Sequence, residues 1–432
     1  MIDLWLVAAL AAPIPQQVPA PQAPPVMQSQ AGSLVIHGEL SALAVTFPKQ
    51  EDTREMRARA VLEVSAEPKP WLRLRFDGIA EVLMADRRGR VDDGLAAVRD
   101  AWVEVRLKDV EVRAGYGRIV WGRLDEVMPS DVINPISAAT FFLEGRADAR
   151  LPVAFVRSRV FLPSETSLET VLALPGSRGR FDLLDETTSP FNLLNDLVLP
   201  AGVSRGAGVQ RAEPPATWRN VQGGLRMSTT AGRVDMSVSA WRGFESFGLV
   251  SFEPEVFPDA GPIPMVVGRL VERYPRFTMI AGDVETVRGG WAIRGEIAGF
   301  VDKAFSGPTG PVKGKAVDAG VGVDRSAGQY HLFGSLVWHR EWSDVLPSAT
   351  RDYVNVIASV DRRFSQERYL VRLFGVANPE DRSGFIRGLA SWSLRDNVLL
   401  EGSGGVFLGE GADAIGRFSG RDFAFVRVRY HF

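Results

Sequence analysis

The chain has 432 residues, with 50 Lys+Arg against 52 Asp+Glu and a formal net charge of −2. That balance leaves no electrostatic footprint for nucleic acid. Cysteine is absent, which removes a disulfide framework, a thiolate metal site and a thiol nucleophile together. The histidines (His37, His331, His339, His431) lack HExxH spacing, so no metal or other cofactor is expected.

At the N-terminus, LWLVAALAA is an apolar run of signal-peptide length, too short to span a bilayer as a helix. Ala9-Leu10-Ala11 supplies an A-x-A-like cleavage site, so residues 1–11 read as an export signal. Met1-Ile2-Asp3 carries no positive charge, which points to a start codon upstream. Residues 12–32, rich in Pro, Gln and Ala, read as a disordered lead-in. No later segment is apolar for long enough to form a transmembrane helix, so a membrane location requires a closed barrel.

From residue 33 the pattern has period two. EMRARAVLEVSAE sets Met56, Ala58, Ala60, Leu62 and Val64 against Arg57, Arg59, Glu63 and Ser65. WLRLRFDGIAEVLM, WVEVRLK, VDMSVSA, WAIRGEIAG, RYLVRLFG and FIRGLASWSL repeat the split. Breaks at Gly, Pro and Asp/Asn clusters give roughly eighteen strands, with sixteen as the alternative.

The connections alternate in length, and this separates a membrane barrel from a soluble sandwich. Short turns are expected at 68–70, 109–110, 163–166, 231–232, 288, 326–328, 365–367 and 395–397. Longer loops are expected at 48–54, 87–97, 122–150, 175–217, 244–275, 303–315, 343–350, 377–383 and 409–420. Short turns at one end and long loops at the other are the plan of a transmembrane antiparallel β-barrel in the outer membrane of a Gram-negative cell. The expected architecture is all-β: one barrel over residues 33–432, in contact with outer-membrane lipid. The last strand, FAFVRVRYHF, ends on Phe432 and resembles the signal by which the barrel-assembly machinery takes up such proteins.

In lipid the apolar face points outward, so parity assigns a candidate lumen. Arg57, Arg59, Arg73, Arg75, Arg106, Arg113, Arg157 and Arg159 fall inside, as do Arg226, Arg294, Arg372, Arg387, Arg427 and Arg429. Such a wall favours anionic solutes. The alternative is that each guanidinium holds a cross-strand acid and stiffens the wall, for instance Glu104 with Arg113 or Glu63 with Arg73. Trp291, Trp338, Trp392 and Tyr369 suit outward interfacial girdles.

One stretch breaks the pattern. In GRIVWGRLDEVMPSDVINPISAATFFLEG alternation stops at Trp121, and Asn134-Pro135 reads as a helix N-cap and first helical residue. Phe141 and Phe142 are too apolar for a loop in water. The segment 122–150 is therefore expected to fold inward and narrow the pore, with Asp125, Glu126 and Asp131 meeting inward arginines.

GRIVWGRLDEVMPSDVINP resembles the strand–loop signature of a Gram-negative outer-membrane barrel family that is largely uncharacterised and carries a W-G…N-P-x-D-type segment. TMIAGDVETVRGGWAIRGEIAGF (278–300) resembles a later hairpin of the same proteins. These barrels are similar in plan to porins and to the alginate-export porin. The resemblance spans the chain loosely from residue 33 to its end, and Ile136-Ser137 departs from it where relatives carry an acid after the proline. It implies passive passage of a small solute and names none.

Catalysis would need Ser335 beside a base, but His331 and His339 each lie four positions away on one strand, about 13 Å off, and no G-x-S-x-G motif is present. No enzyme activity is expected. An adhesion barrel, with 175–217 and 244–275 binding a surface partner, is a further alternative. So is an exit duct for hydrophobic or polymeric cargo working with a periplasmic exporter. An autotransporter is disfavoured, since no passenger precedes the barrel.

Overall fold

The computed structural model describes residues 32–50, 53–87, 89–196, 209–257, 265–307, 310–409 and 413–432. The expected export signal and nearly all of the lead-in lie outside these. Eighteen strands form one antiparallel sheet. The first half comprises β1 (Ser33–Phe47), β2 (Thr53–Lys69), β3 (Leu72–Asp86), β4 (Arg90–Arg106), β5 (Val110–Gly117), β6 (Val153–Leu162), β7 (Thr166–Ala173), β9 (Gln222–Ala231) and β10 (Val234–Phe244). The second half comprises β13 (Arg276–Arg288), β14 (Trp291–Gly307), β15 (Gly310–Ala327), β16 (Tyr330–Trp342), β17 (Arg351–Phe364), β18 (Tyr369–Asn378), β19 (Ser383–Arg395), β20 (Val398–Leu408) and β21 (Phe423–His431). Each pairs with its neighbour, and β21 pairs back onto β1 from Glu39↔His431 to Thr46↔Ala424. Phe432 extends this seam, exchanging backbone hydrogen bonds with Gly38 at 2.8 and 3.0 Å. Closure leaves no unpaired sheet edge, the condition for strands in hydrocarbon.

Alternation determines which side each residue faces. Leu40, Val82, Val156, Val238, Ile280 and Val428 project from the outer surface, while Glu81, Glu104, Arg372 and Arg427 are buried within. On the outside, Tyr369 and Trp392 stack at 5.9 Å beside a short turn, as an interfacial girdle would. The connections alternate as the sequence suggested except at 87–89 and 308–309, which are as short as the turns of the opposite end. The two expected loops there are taken up by strand: β4 already begins at Arg90, and β14 and β15 run to Gly307 and from Gly310. These polar stretches still satisfy their backbone groups in the ladder, so side-chain polarity did not mark where the strands end.

The long-loop end is elaborate. The β5–β6 connection carries two short helices, α1 (Ala138–Leu143) and α2 (Arg146–Ala149), and folds into the barrel. A second sheet of β8 (Val209–Ala212), β11 (Leu249–Phe257) and β12 (Met265–Arg273) lies in the other loops. The inner wall near this end is apolar, an arrangement parity had reserved for charges. Phe374, Phe385, Phe407, Phe423 and Phe425 face inward and join α1, Phe181, Phe191 and Phe418 in one core. The barrel therefore has two apolar surfaces: a lipid face and an internal one covered by its own loops.

Candidate functional site

The insert starts at Trp121-Gly122, crosses the lumen and returns to β6. Trp121 packs edge-on to Trp241 at 5.7 Å, and its indole N–H donates to Glu169 at 2.8 Å. Gly122 has φ +97°, and a Cβ there would lie 2.9 and 3.0 Å from the Glu296 carboxylate oxygens. Only glycine satisfies both constraints. Glu296, projecting from β14, accepts from the backbone N–H groups of Arg123 (3.0 Å), Leu124 (3.3 Å) and Ser130 (2.6 Å), and from the Ser130 hydroxyl (2.7 Å). One wall carboxylate thus takes three backbone donors of the acidic turn.

The helix differs in detail from its sequence reading. Its N-cap is Ser137, whose side chain accepts from the Thr140 N–H. Asn134 instead accepts from the Ile119 N–H at 2.8 Å and donates to the Leu151 carbonyl at 2.7 Å, tying the two ends of the insert together. Asn134, the expected N-cap, is drawn to the insert's neck, and the helix begins three residues later than expected, at Ala138. Phe141 and Phe142 are buried; Phe142 stacks on Phe191 at 5.2 Å and meets Phe385, Phe407 and Phe418 edge-on.

Asp125 reaches a wall arginine, Arg294, at 2.6 Å. Asp131 pairs within the insert, with Arg146 at 2.9 Å and Arg150 at 2.7 Å. Burial works against its charge, but Arg150 and Arg146 outweigh it and hold the carboxyl below its usual range. Glu126 is buried with Oε2 unpartnered, and burial together with Asp125 pushes its carboxyl well above the ordinary glutamate value. Among the described residues its carboxylate meets no arginine in a hydrogen bond; its backbone carbonyl accepts from Arg146 at 2.8 Å.

Of the fourteen inward arginines, thirteen meet a carboxylate. Arg57 is held by Asp182 (2.7 Å) and Glu55 (3.0 Å), Arg59 by Glu81 (2.8 Å), and Arg75 by Glu63 (3.0 Å). Arg73 pairs with Glu67 in place of the expected Glu63. Arg106 and Arg113 share Glu104, and Arg157 and Arg159 share Glu169. Arg226 pairs with Asp283 (3.0 Å) and Arg372 with Asp361, while Arg294 also meets Glu285 (3.0 Å) and Asp324. The exception, Arg387, donates to the carbonyls of Phe142 (2.8 Å) and Leu143 (3.2 Å), the C-terminal end of α1. Cross-strand pairing thus accounts for most of the wall.

The residue that sequence reasoning missed is Glu144. It follows α1 directly, accepts from Arg427 and from Arg429 at 2.7 Å, and forms an ion pair with Arg59 at 3.3 Å. Burial alone would raise its carboxyl, but Arg427, Arg59 and Arg429 hold it far below the usual range. The available signal was an acid closing an apolar helical turn, opposite a strand with arginines at i and i+2.

Beside the insert is a cavity of about 510 Å³ near the short-turn end. Six arginines border it (Arg118, Arg123, Arg157, Arg159, Arg226, Arg294) against three carboxylates (Asp125, Glu169, Glu285). Among the described residues no Ser–His pair forms: the Ser335 hydroxyl has no hydrogen-bond partner, and His339 bonds to Asp318 and Glu341.

A closed eighteen-stranded barrel with an apolar outer band and a charged interior is a transmembrane β-barrel of the outer-membrane class. Its fold is shared with solved structures of Gram-negative outer-membrane porins. Acinetobacter baumannii OccAB2 is 7% identical, with a TM-score of 0.54 over 93% of this chain and 98% of that one. Pseudomonas aeruginosa OpdL is 10% identical, with a TM-score of 0.51 over 93% and 99%. Pseudomonas aeruginosa OccD3 (OpdP) is 7% identical, with a TM-score of 0.50 over 93% and 91%. No protein-family profile and no curated protein matches the sequence.

Proposed function

We propose that this protein is an outer-membrane, porin-like channel for passive passage of small anionic or amphipathic solutes. The fold shared with porins supports a channel. The anionic preference rests on one observation: the cavity beside the insert has six guanidiniums against three carboxylates. In a space of low dielectric that surplus attracts anions and repels cations. The insert acts as the constriction, and bond chemistry plays no part. Phe432, exposed on the outer face at the barrel seam, is the proposed contact for the barrel-assembly machinery.

A second reading is favoured by the latch: α1 is fixed to the wall through Glu144 on one side of the lumen, and the acidic turn through Glu296 on the other. Such a barrel would be plugged at rest and would open as an exit duct with a periplasmic exporter. Single-channel conductance under a KCl gradient, for the wild type and a variant lacking residues 126–142, separates the two. An open, anion-selective pore that widens on deletion supports the porin. A silent wild type that conducts only after deletion supports the plugged duct. If both conduct without anion selectivity, the arginine surplus does not set the preference.

A further inference from the structure

The outer surface of β10 and β13–β16 departs from the apolar pattern of the rest of the lipid face. At its long-loop end Arg242, Lys313, Lys315 and Arg340 all project outward, each at least half exposed. The register sets Arg242 opposite Thr278, Thr278 opposite Val301 and Val301 opposite Lys315. Arg242 and Lys315 therefore lie at one height, three strands and about 14 Å apart. Arg340 is one pleat lower, opposite Val317.

A fifth cation, Arg276, is one pleat above Arg242 and donates to the Val221 carbonyl at 3.0 Å, leaving its Nε without a partner. Among the described residues no carboxylate pairs with it. Asp302, Asp344 and Asp352 offset the other four only loosely, at 3.3 to 3.8 Å. The rim at β2–β4 shows no such surplus, since Arg54 lies opposite Asp86 in the register and Arg90 pairs with Asp92 at 2.9 Å.

Directly below the cations the outer surface is recessed. Gly282 and Gly295 carry no side chain, and Ala319 carries a small one, between Val284, Ile297, Leu336 and Trp338. The resulting apolar groove has a volume of about 690 Å³. Trp338 closes one side and donates to Asp352 at 2.7 Å, placing its polar edge at the boundary between apolar groove and charged rim. Cations above an apolar groove, on a face that meets lipid, match an amphiphile with an anionic head and acyl chains.

We propose that this face binds an outer-leaflet glycolipid bearing phosphate monoesters (lipid A), its phosphates on Arg242, Arg276 and Lys315 and an acyl chain in the groove. A phosphate monoester carries up to two charges and accepts several hydrogen bonds, so it competes for cations whose present partners are long and half exposed. The Arg276 guanidinium, with no carboxylate of its own, gains most. The inference is independent of what passes through the lumen.

Native mass spectrometry of the folded, detergent-extracted protein with added diphosphoryl lipid A tests it. The wild type is expected to retain the lipid, and an Arg276→Gln/Lys315→Gln variant to retain it about tenfold or more less well. Gly295→Leu, which fills the groove and leaves the charges in place, is expected to weaken retention. An Arg54→Gln/Arg90→Gln control should not. Heat-shifted gel mobility verifies that each variant is folded. Equal retention by the double variant, equal binding of dephosphorylated lipid or of phosphatidylglycerol, or occupation of the face by a second copy of the chain would each overturn the assignment.

Discussion

Replacing Glu144 with glutamine removes the negative charge on which three buried guanidiniums of the wall converge. Arg427, Arg429 and Arg59 come from β21 and β2, while Glu144 comes from the insert. The wall holds enough carboxylate without it: Glu81 serves Arg59, Glu401 serves Arg427 and Arg429, and Glu39 serves Arg429. Once Glu144 is lost these three cations still face three wall acids, and Arg387 beside them rests on the Phe142 and Leu143 carbonyls. The cost should therefore fall on docking of the insert, with little effect on closure of the barrel. Breaking a buried ion pair from one side costs roughly 3–5 kcal/mol, and the remaining wall acids argue for the lower end. About 3 kcal/mol corresponds to roughly a hundredfold change in the ratio of docked to undocked insert. Limited proteolysis of vesicle-reconstituted protein should show cleavage within 126–150 accelerated by that order, with heat-shifted mobility of the barrel unchanged. Equal cleavage rates in wild type and Glu144→Gln would refute the latch. Loss of the folded barrel band would refute the claim that the wall balances by itself.

The same segment yields further expectations. Gly122→Ala forces a Cβ against the Glu296 carboxylate at an unfavourable φ, which should weaken insert docking by about 1–3 kcal/mol and increase proteolysis. Phe142→Ala empties the centre of the aromatic cluster and should cost about 3–5 kcal/mol, read as a lower urea midpoint for exposure of the insert. Arg157→Gln with Arg159→Gln removes two of the six cavity arginines, so the reversal potential under a KCl gradient should move toward that of a non-selective pore. The Glu126 carboxyl is raised on docking, so its stabilising contribution is complete below the ordinary glutamate value of about 4.3 and is lost as pH rises through the elevated value. Acidification should therefore slow proteolysis of the insert, and Glu126→Gln should flatten that dependence. Glu144 has the opposite sign, with its contribution lost only as pH falls through a value far below the usual range, so it should not titrate in this window.

The barrel itself was legible in the sequence because its cause is local and repeated. Each strand must show lipid an apolar face and its lumen a polar one, which writes a period of two into the chain, and the longest connections gather at one end. Parity then placed the arginines, and an apolar run after Asn134-Pro135 pointed to an inward segment. The choice of partners was not legible. Arg73 meets Glu67 and not Glu63, Asn134 ties the neck of the insert and leaves the cap to Ser137, and Asp131 pairs within its own loop. These depend on where side chains far apart in sequence come to lie. Glu144 and Arg427 are 283 residues apart, and no periodicity links them. The inward aromatics were hidden for a related reason. Phe385, Phe407 and Phe423 face inward because loops arrive to cover them, and only the closed tertiary structure brings that cover into place.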